Sequence, residues 1–256
     1  MKKLLATLAA LAALNAQAQT LEVAASAVPH AEILEFVRPQ LAEAGIELKI
    51  RVFTDYVQPN VQVAEGNLDA NFFQHQPYLD DFNAARETRL VSVAGVHIEP
   101  FGAYSRSIDS LEQLPEDAQV AIPNDATNGG RALLLLQQAG IIRLRDGVGT
   151  TASRRDIVDN PRSIRVRELE AATLPRVLDQ VDLALINTNY ALEAGLNPSA
   201  DALAMEGAQS PYVNILVTRE DRRDDPAVQK LVEALHSEAL RAFILEKYRG
   251  AVVPVF

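Results

Sequence analysis

QVAIPNDATNGGRALLLLQQ, residues 119–138, runs a short strand pattern (Gln119–Ile122) through a Pro-Asn-Asp loop into an apolar helical pattern (Gly129–Gln138). A strand that turns directly into a helix is half of a βαβ unit, so this stretch reads as α/β. Downstream the rhythm repeats, with a strand at Ile164–Glu168, a helix at Leu174–Gln180 and a strand at Leu183–Ile186. Upstream it is already established: strand Leu21–Ala25, helix from Ala31 to Ala44, strand Ile46–Phe53, helix Tyr56–Glu65, strand Leu68–Phe73, helix Pro77–Arg86 and strand Leu90–Ile98. Ile46–Phe53 alternates apolar and charged residues with period two, and Gly45 suits the C-terminal end of the helix before it. The expected class is α/β with open, largely parallel sheets.

The polar stretch Ser107–Asp117 separates the first series from the second. Tyr212–Val217 reads as a strand and Pro226–Tyr248 as a long helical region that returns to the first unit. The expected organisation is a first lobe of residues 19–106 and 211–256 and a second lobe of residues 107–210, joined by two extended crossings. Two such lobes make a cleft that closes on a ligand by hinge motion. Ligands in these folds sit outside the strand carboxyl ends.

Of 256 residues 48% are hydrophobic, and the formal net charge is −10. That balance argues against nucleic acid as a partner. With no cysteine there is no disulfide framework, thiol nucleophile or thiolate metal site. At the N-terminus Lys2 and Lys3 precede an apolar run, Leu4–Leu14, and Ala16-Gln17-Ala18 supplies a small-x-small cleavage site. Residues 1–18 are therefore expected to be a cleaved signal peptide, since a spanning helix needs about 20 apolar residues.

Three clusters carry the candidate chemistry. In Asn124–Arg131 a helix N-terminus, two glycines and Arg131 offer N–H groups and a bidentate guanidinium to a carboxylate; an ordinary turn with a surface arginine reads equally well from spacing alone. In Asn71–Tyr78, Phe73 and His75 share one side of a strand end, and with Tyr78 and Tyr56 they form an aromatic wall or plain core. Asn187, Asn189 and Asn214 carry carboxamides, which both donate and accept, as a zwitterion requires, although single asparagines more often cap helices. Together these residues describe recognition of a small amino acid. A hydrolase using His75 with Asp55 or Asp80 is the rival from another class, but no G-x-S-x-G or H-E-x-x-H motif accompanies it. No catalytic residue, metal site or cofactor is expected; His30, His97 and His236 have no metal-ligand spacing.

The ordered blocks DYVQPN (55–60), LDANFFQHQPYLD (68–80), EPFGAYS (99–105), AIPNDATNGGRALLLL (121–136), RELEAATLPRVL (167–178), INTNYAL (186–192) and SPYVNILVTRE (210–220) resemble the NlpA lipoprotein family, specifically its methionine-binding members. The resemblance implies a two-lobed periplasmic-binding-protein fold that captures L-methionine, or else D-methionine or a methionine-containing dipeptide, and delivers it to the permease and ATPase subunits of an ABC importer. It implies a thioether cage of Tyr56, Phe73, His75 and Tyr78, a carboxylate contact from Arg131, and polar contacts from Asn128, Asn189 and Asn214. Thr188 departs from the family, which commonly has glycine there, so the loop carrying Asn189 is expected to sit differently. Relatives often carry a lipid-modified cysteine after the signal. Its absence here leads to the expectation of a freely diffusing, monomeric periplasmic carrier with no lipid anchor.

Overall fold

The computed structural model describes residues 19–207 and 210–256; the expected signal peptide, residues 1–18, lies outside the described residues. The first series comprises β1 (Gln19–Ala25), α1 (Glu32–Glu43), β2 (Ile46–Val52), α2 (Gln58–Ala64), β3 (Ala70–His75), α3 (Gln76–Arg86) and β4 (Leu90–Ile98). The second comprises β5 (Gly102–Tyr104), β6 (Gln119–Pro123), α4 (Ala126–Gln138), β7 (Arg143–Leu144), β8 (Ile157–Asp159), β9 (Arg165–Leu169), β10 (Leu183–Ile186), α5 (Thr188–Glu193), α6 (Pro198–Asp201) and β11 (Ala204–Met205). The chain then returns through β12 (Val213–Arg219), α7 (Pro226–Leu235), α8 (Glu238–Tyr248) and β13 (Val253–Pro254).

The strands form a six-stranded sheet, ordered β13-β4-β12-β3-β1-β2, a five-stranded sheet, ordered β11-β5-β10-β6-β9, and a separate antiparallel pair, β7-β8. The expectation of largely parallel sheets is only half met. β1 pairs in parallel with β2 and β3, and β6 with β9 and β10. The strands at or beside the two crossings, β5 and β12, pair antiparallel with their neighbours.

Both faces of each sheet are covered. In β1, Val23 and Ala25 belong to one buried cluster while Ala24, pointing oppositely, belongs to another. In β6, Val120 and Ile122 pack on one side and Ala121 on the other. Strands buried on two faces read as continuous apolar runs, which is why AIP and LALI lack alternation.

Several local differences have clear causes. Helix α4 begins at Ala126, three residues before the expected Gly129, because the Asp125 carboxylate accepts from the Asn128 N–H and caps it. The long helix expected over Pro226–Tyr248 is two helices, since Ser237 takes extended backbone angles and caps α8 through the Leu240 N–H. The helix expected at Leu174–Gln180 is a run of 3₁₀ turns over Ala171–Gln180, with Pro175 inside it removing an α-helical donor. No helix among the described residues is long and apolar enough to cross a membrane.

Candidate functional site

β3 ends at His75, and α3 starts at the next residue. The same junction occurs where β6 meets α4 and where β10 meets α5. These three carboxyl-end junctions, together with Glu99 on the first crossing and Asn214 on β12, line one cavity. Tyr56, Phe73, His75, Tyr78, Asn128, Arg131, Asn189 and Asn214 all line it, so every residue expected from the sequence meets at one place. Gln74, Glu99, Asn187 and Thr188 line it as well.

One wall is aromatic. The Tyr56 ring centroid lies 5.9 Å from that of Phe73 and 6.0 Å from that of Tyr78, and Phe73 and Tyr78 meet edge-on at 5.9 Å. The Tyr78 hydroxyl donates to the Tyr56 carbonyl (2.8 Å), tying the two rings together.

Beside it lies a network of amides whose orientations are mutually fixed. The Tyr78 N–H donates to His75 Nδ1 (3.2 Å), so the proton of His75 sits on Nε2, which donates to Asn128 Oδ1 (3.1 Å). Asn187 Nδ2 donates to the same oxygen (2.8 Å), while Asn128 Nδ2 is held by Asp125 (2.9 Å). Tyr56 Oη donates to Asn189 Oδ1 (2.6 Å). Of the amides lining the cavity, two buried atoms then have no hydrogen-bond partner among the described residues: Asn187 Oδ1, an acceptor, and Asn189 Nδ2, a donor. Asn187 stands at the N-cap position of α5, yet its side chain makes no cap; it faces the cavity instead.

Arg131 is 3% exposed and differs from the expected free clamp. Its Nε and Nη2 already form a fork on the Glu206 carboxylate (2.8 and 2.6 Å), and Nη2 also donates to the Glu99 carbonyl (2.8 Å). Its guanidinium lies 4.2 Å from the Tyr212 ring centroid and 5.0 Å from that of Phe101. The pair was invisible in the sequence because Glu206 is 75 residues away. Nη1 has no hydrogen bond to the described residues. Gly129 and Gly130 also act differently from the anion-cradling expectation. Both lie inside α4, and a Cβ on Gly130 would sit 2.2 Å from the Thr150 carbonyl oxygen. They permit close packing of α4.

Glu99 was not foreseen as a site residue. Its Oε1 accepts from His97 Nε2 (2.7 Å) and lies 3.3 Å from His30 Nε2. Burial pushes its carboxyl above the usual range, opposed by His30, Arg131 and the Asn189 N–H. Burial likewise lowers His30 to about 4 and His97 to about 3, so both are neutral donors rather than ion-pair partners. These three side chains bring potential metal-donor atoms within 4.8 Å of one another, a grouping that sequence spacing could not show. As oriented, their N–H groups are spent on oxygen acceptors.

The hydrolase arrangement is absent from this geometry. Burial lowers His75 to about 3; Asp55 accepts from Val57 and Gln58 N–H groups, and Asp80 from Gln76. Thr188 is the first residue of α5, in right-handed helix and not in a positive-φ conformation, with its hydroxyl donating to the Pro100 carbonyl.

A family profile described as NlpA lipoprotein matches residues 21–256. The D-methionine-binding lipoprotein MetQ of Salmonella typhimurium is 46% identical over 211 residues, 82% of this chain and 78% of that protein. A nutrient binding protein from Burkholderia cenocepacia, solved bound to methionine, superposes with a TM-score of 0.89 at 44% identity, covering 92% of this chain and all of that one. Lipoprotein Tp32 from Treponema pallidum gives 0.90 at 42% identity over 93% of this chain and all of that one. The fold is thus the two-lobed periplasmic-binding-protein fold, crossed between β4 and β5 and between β11 and β12. The relatives are named as binding proteins and lipoproteins, and the chain groups with them rather than with enzymes. They also overturn one expectation. The freely diffusing carrier without a lipid anchor conflicts with relatives that are lipoproteins by name. That expectation rested on the lack of one residue type, which is no ground for excluding attachment.

Proposed function

The chain belongs to the NlpA lipoprotein family, and from that premise we propose that it captures methionine between two lobes and presents it to an ABC importer. The bounds expected from the sequence, residues 19–106 with 211–256 and residues 107–210, shift in this reading so that each lobe is built around one sheet. Strand β5, Gly102–Tyr104, pairs in the second sheet, so the first crossing precedes it.

The observation that carries the reading is the pairing of opposite unmet needs in one cavity. Asn189 Nδ2 and Arg131 Nη1 await an acceptor, which a ligand carboxylate supplies. Asn187 Oδ1 awaits a donor, which an ammonium supplies, and Glu99, whose Oε1 already accepts from His97 Nε2, lines the same cavity. In the same cavity the Tyr56–Phe73–Tyr78 wall receives an apolar side chain. Each sulfur–aromatic contact contributes about 0.3–1.5 kcal/mol, favouring a thioether over a plain alkyl chain. His75 is a wall and orienting group here.

The ligand of this reading is L-methionine. The second reading, D-methionine, is favoured by the names of the MetQ relatives. Mass spectrometry of the small molecule released on denaturation, with chiral separation, tests both. A released compound other than methionine would reject the proposal.

A further inference from the structure

His30 lies in the turn Ala27–Ala31 after β1, is 1% exposed and does not line the cavity, yet it touches two residues that do. Its Nε2 is 3.0 Å from Asn214 Oδ1 and 3.3 Å from Glu99 Oε1. Its Nδ1 is 2.7 Å from Ser26 Oγ. Facing two oxygen acceptors, Nε2 must carry the ring proton, and Nδ1 then accepts from the Ser26 hydroxyl. An asparagine can present either end of its amide. Here the His30 N–H occupies Oδ1; the flipped amide would set an NH₂ against an N–H.

We infer that His30 is a positioning residue: through Ser26–His30–Asn214 it holds the Asn214 amide so that Nδ2 faces the ligand, which makes the site select a carboxylate over a carboxamide. The selection is physical. A fixed donor meets a carboxylate oxygen well, while a rotatable amide could turn its oxygen toward the NH₂ of an amino-acid amide and accept it equally well. The neutral state of buried His30 keeps a single N–H at this position. This inference rests on the amino-acid reading above and names the group that sets one of its selectivities.

The test compares L-methionine with L-methioninamide by calorimetry on the ligand-stripped full chain and three variants. Wild type is expected to prefer methionine. His30→Leu removes the donor and should weaken methionine by about tenfold or more, with a smaller change for methioninamide, so that the ratio of the two affinities collapses. His30→Gln, which replaces the donor, should restore most of the ratio. Ser26→Ala leaves the core shape intact but frees the tautomer, and it should shift the ratio in the same direction as His30→Leu. If His30→Leu fails to fold, Ser26→Ala and His30→Gln carry the comparison alone. An unchanged ratio in folded His30→Leu, or in Ser26→Ala, would overturn the inference. Failure of wild type to bind either compound would instead reject the amino-acid reading itself.

Discussion

The Tyr56 hydroxyl, on the loop after β2, donates to Asn189 Oδ1 at the start of α5, 2.6 Å away and 133 residues distant in sequence. This bond joins the segment carrying the aromatic wall to the segment carrying the amides, and it decides which end of Asn189 the cavity sees. Tyr190 makes a second bond across the same gap, from its hydroxyl to the Thr54 carbonyl (2.9 Å). Tyr56→Phe keeps the ring and deletes the bond. It should weaken methionine by about three- to tenfold, as expected for one hydrogen bond, with the melting temperature nearly unchanged. Calorimetry beside a thermal melt measures both.

Arg131 and Glu206 act as a unit. Arg131→Ala should abolish methionine binding and also destabilise by about 3 kcal/mol, because it strands a carboxylate whose side chain is only 13% exposed. The double variant Arg131→Ala/Glu206→Ala should recover much of that stability without recovering binding. Denaturant unfolding of both proteins checks the first effect and ligand titration the second. Recovered binding in the double variant would show that Arg131 does not contact the ligand.

Gly130 is a packing requirement of the helix that carries Asn128 and Arg131. In Gly130→Ala the new methyl would overlap the Thr150 carbonyl oxygen (2.2 Å) and crowd the Ala152 nitrogen (2.8 Å). Neither is a flexible side-chain tip. A loss of about 1–3 kcal/mol follows, read as a lower melting temperature and reduced affinity together.

The buried histidines set an acid limit. His97 titrates near 3 in the folded protein because of burial, against 6.5 when unfolded. The unfolded chain therefore takes up this proton first as pH falls. The stabilising contribution is complete above 6.5 and is lost progressively toward 3, at up to about 1.4 kcal/mol per pH unit. His30 and His75 act in the same direction. Raised Glu99 and Asp125 oppose them at the acid end. Melting temperature should fall from pH 7 to pH 5, and His97→Gln should shrink that fall.

Much of this was legible in advance because strands that run straight into helices leave local signals. IPNDATNGG and FFQHQPY each mark a carboxyl-end junction by their turn and capping residues, and those junctions are where ligands sit. What the sequence concealed was tertiary. Glu206 reaches Arg131, and Glu99 gathers His30 and His97, through the crossings and not through spacing. Ser237 broke a helix that hydrophobic periodicity alone joined.

The central claim is that this cavity binds methionine. Its most direct test is calorimetric titration of the unfolded, ligand-stripped and refolded protein with L-methionine, D-methionine and norleucine. The account predicts saturable one-to-one binding of methionine with a dissociation constant of about 1 μM or tighter, and weaker binding of norleucine, which lacks the sulfur. No saturable heat from either methionine enantiomer, in protein shown to have refolded, would contradict it.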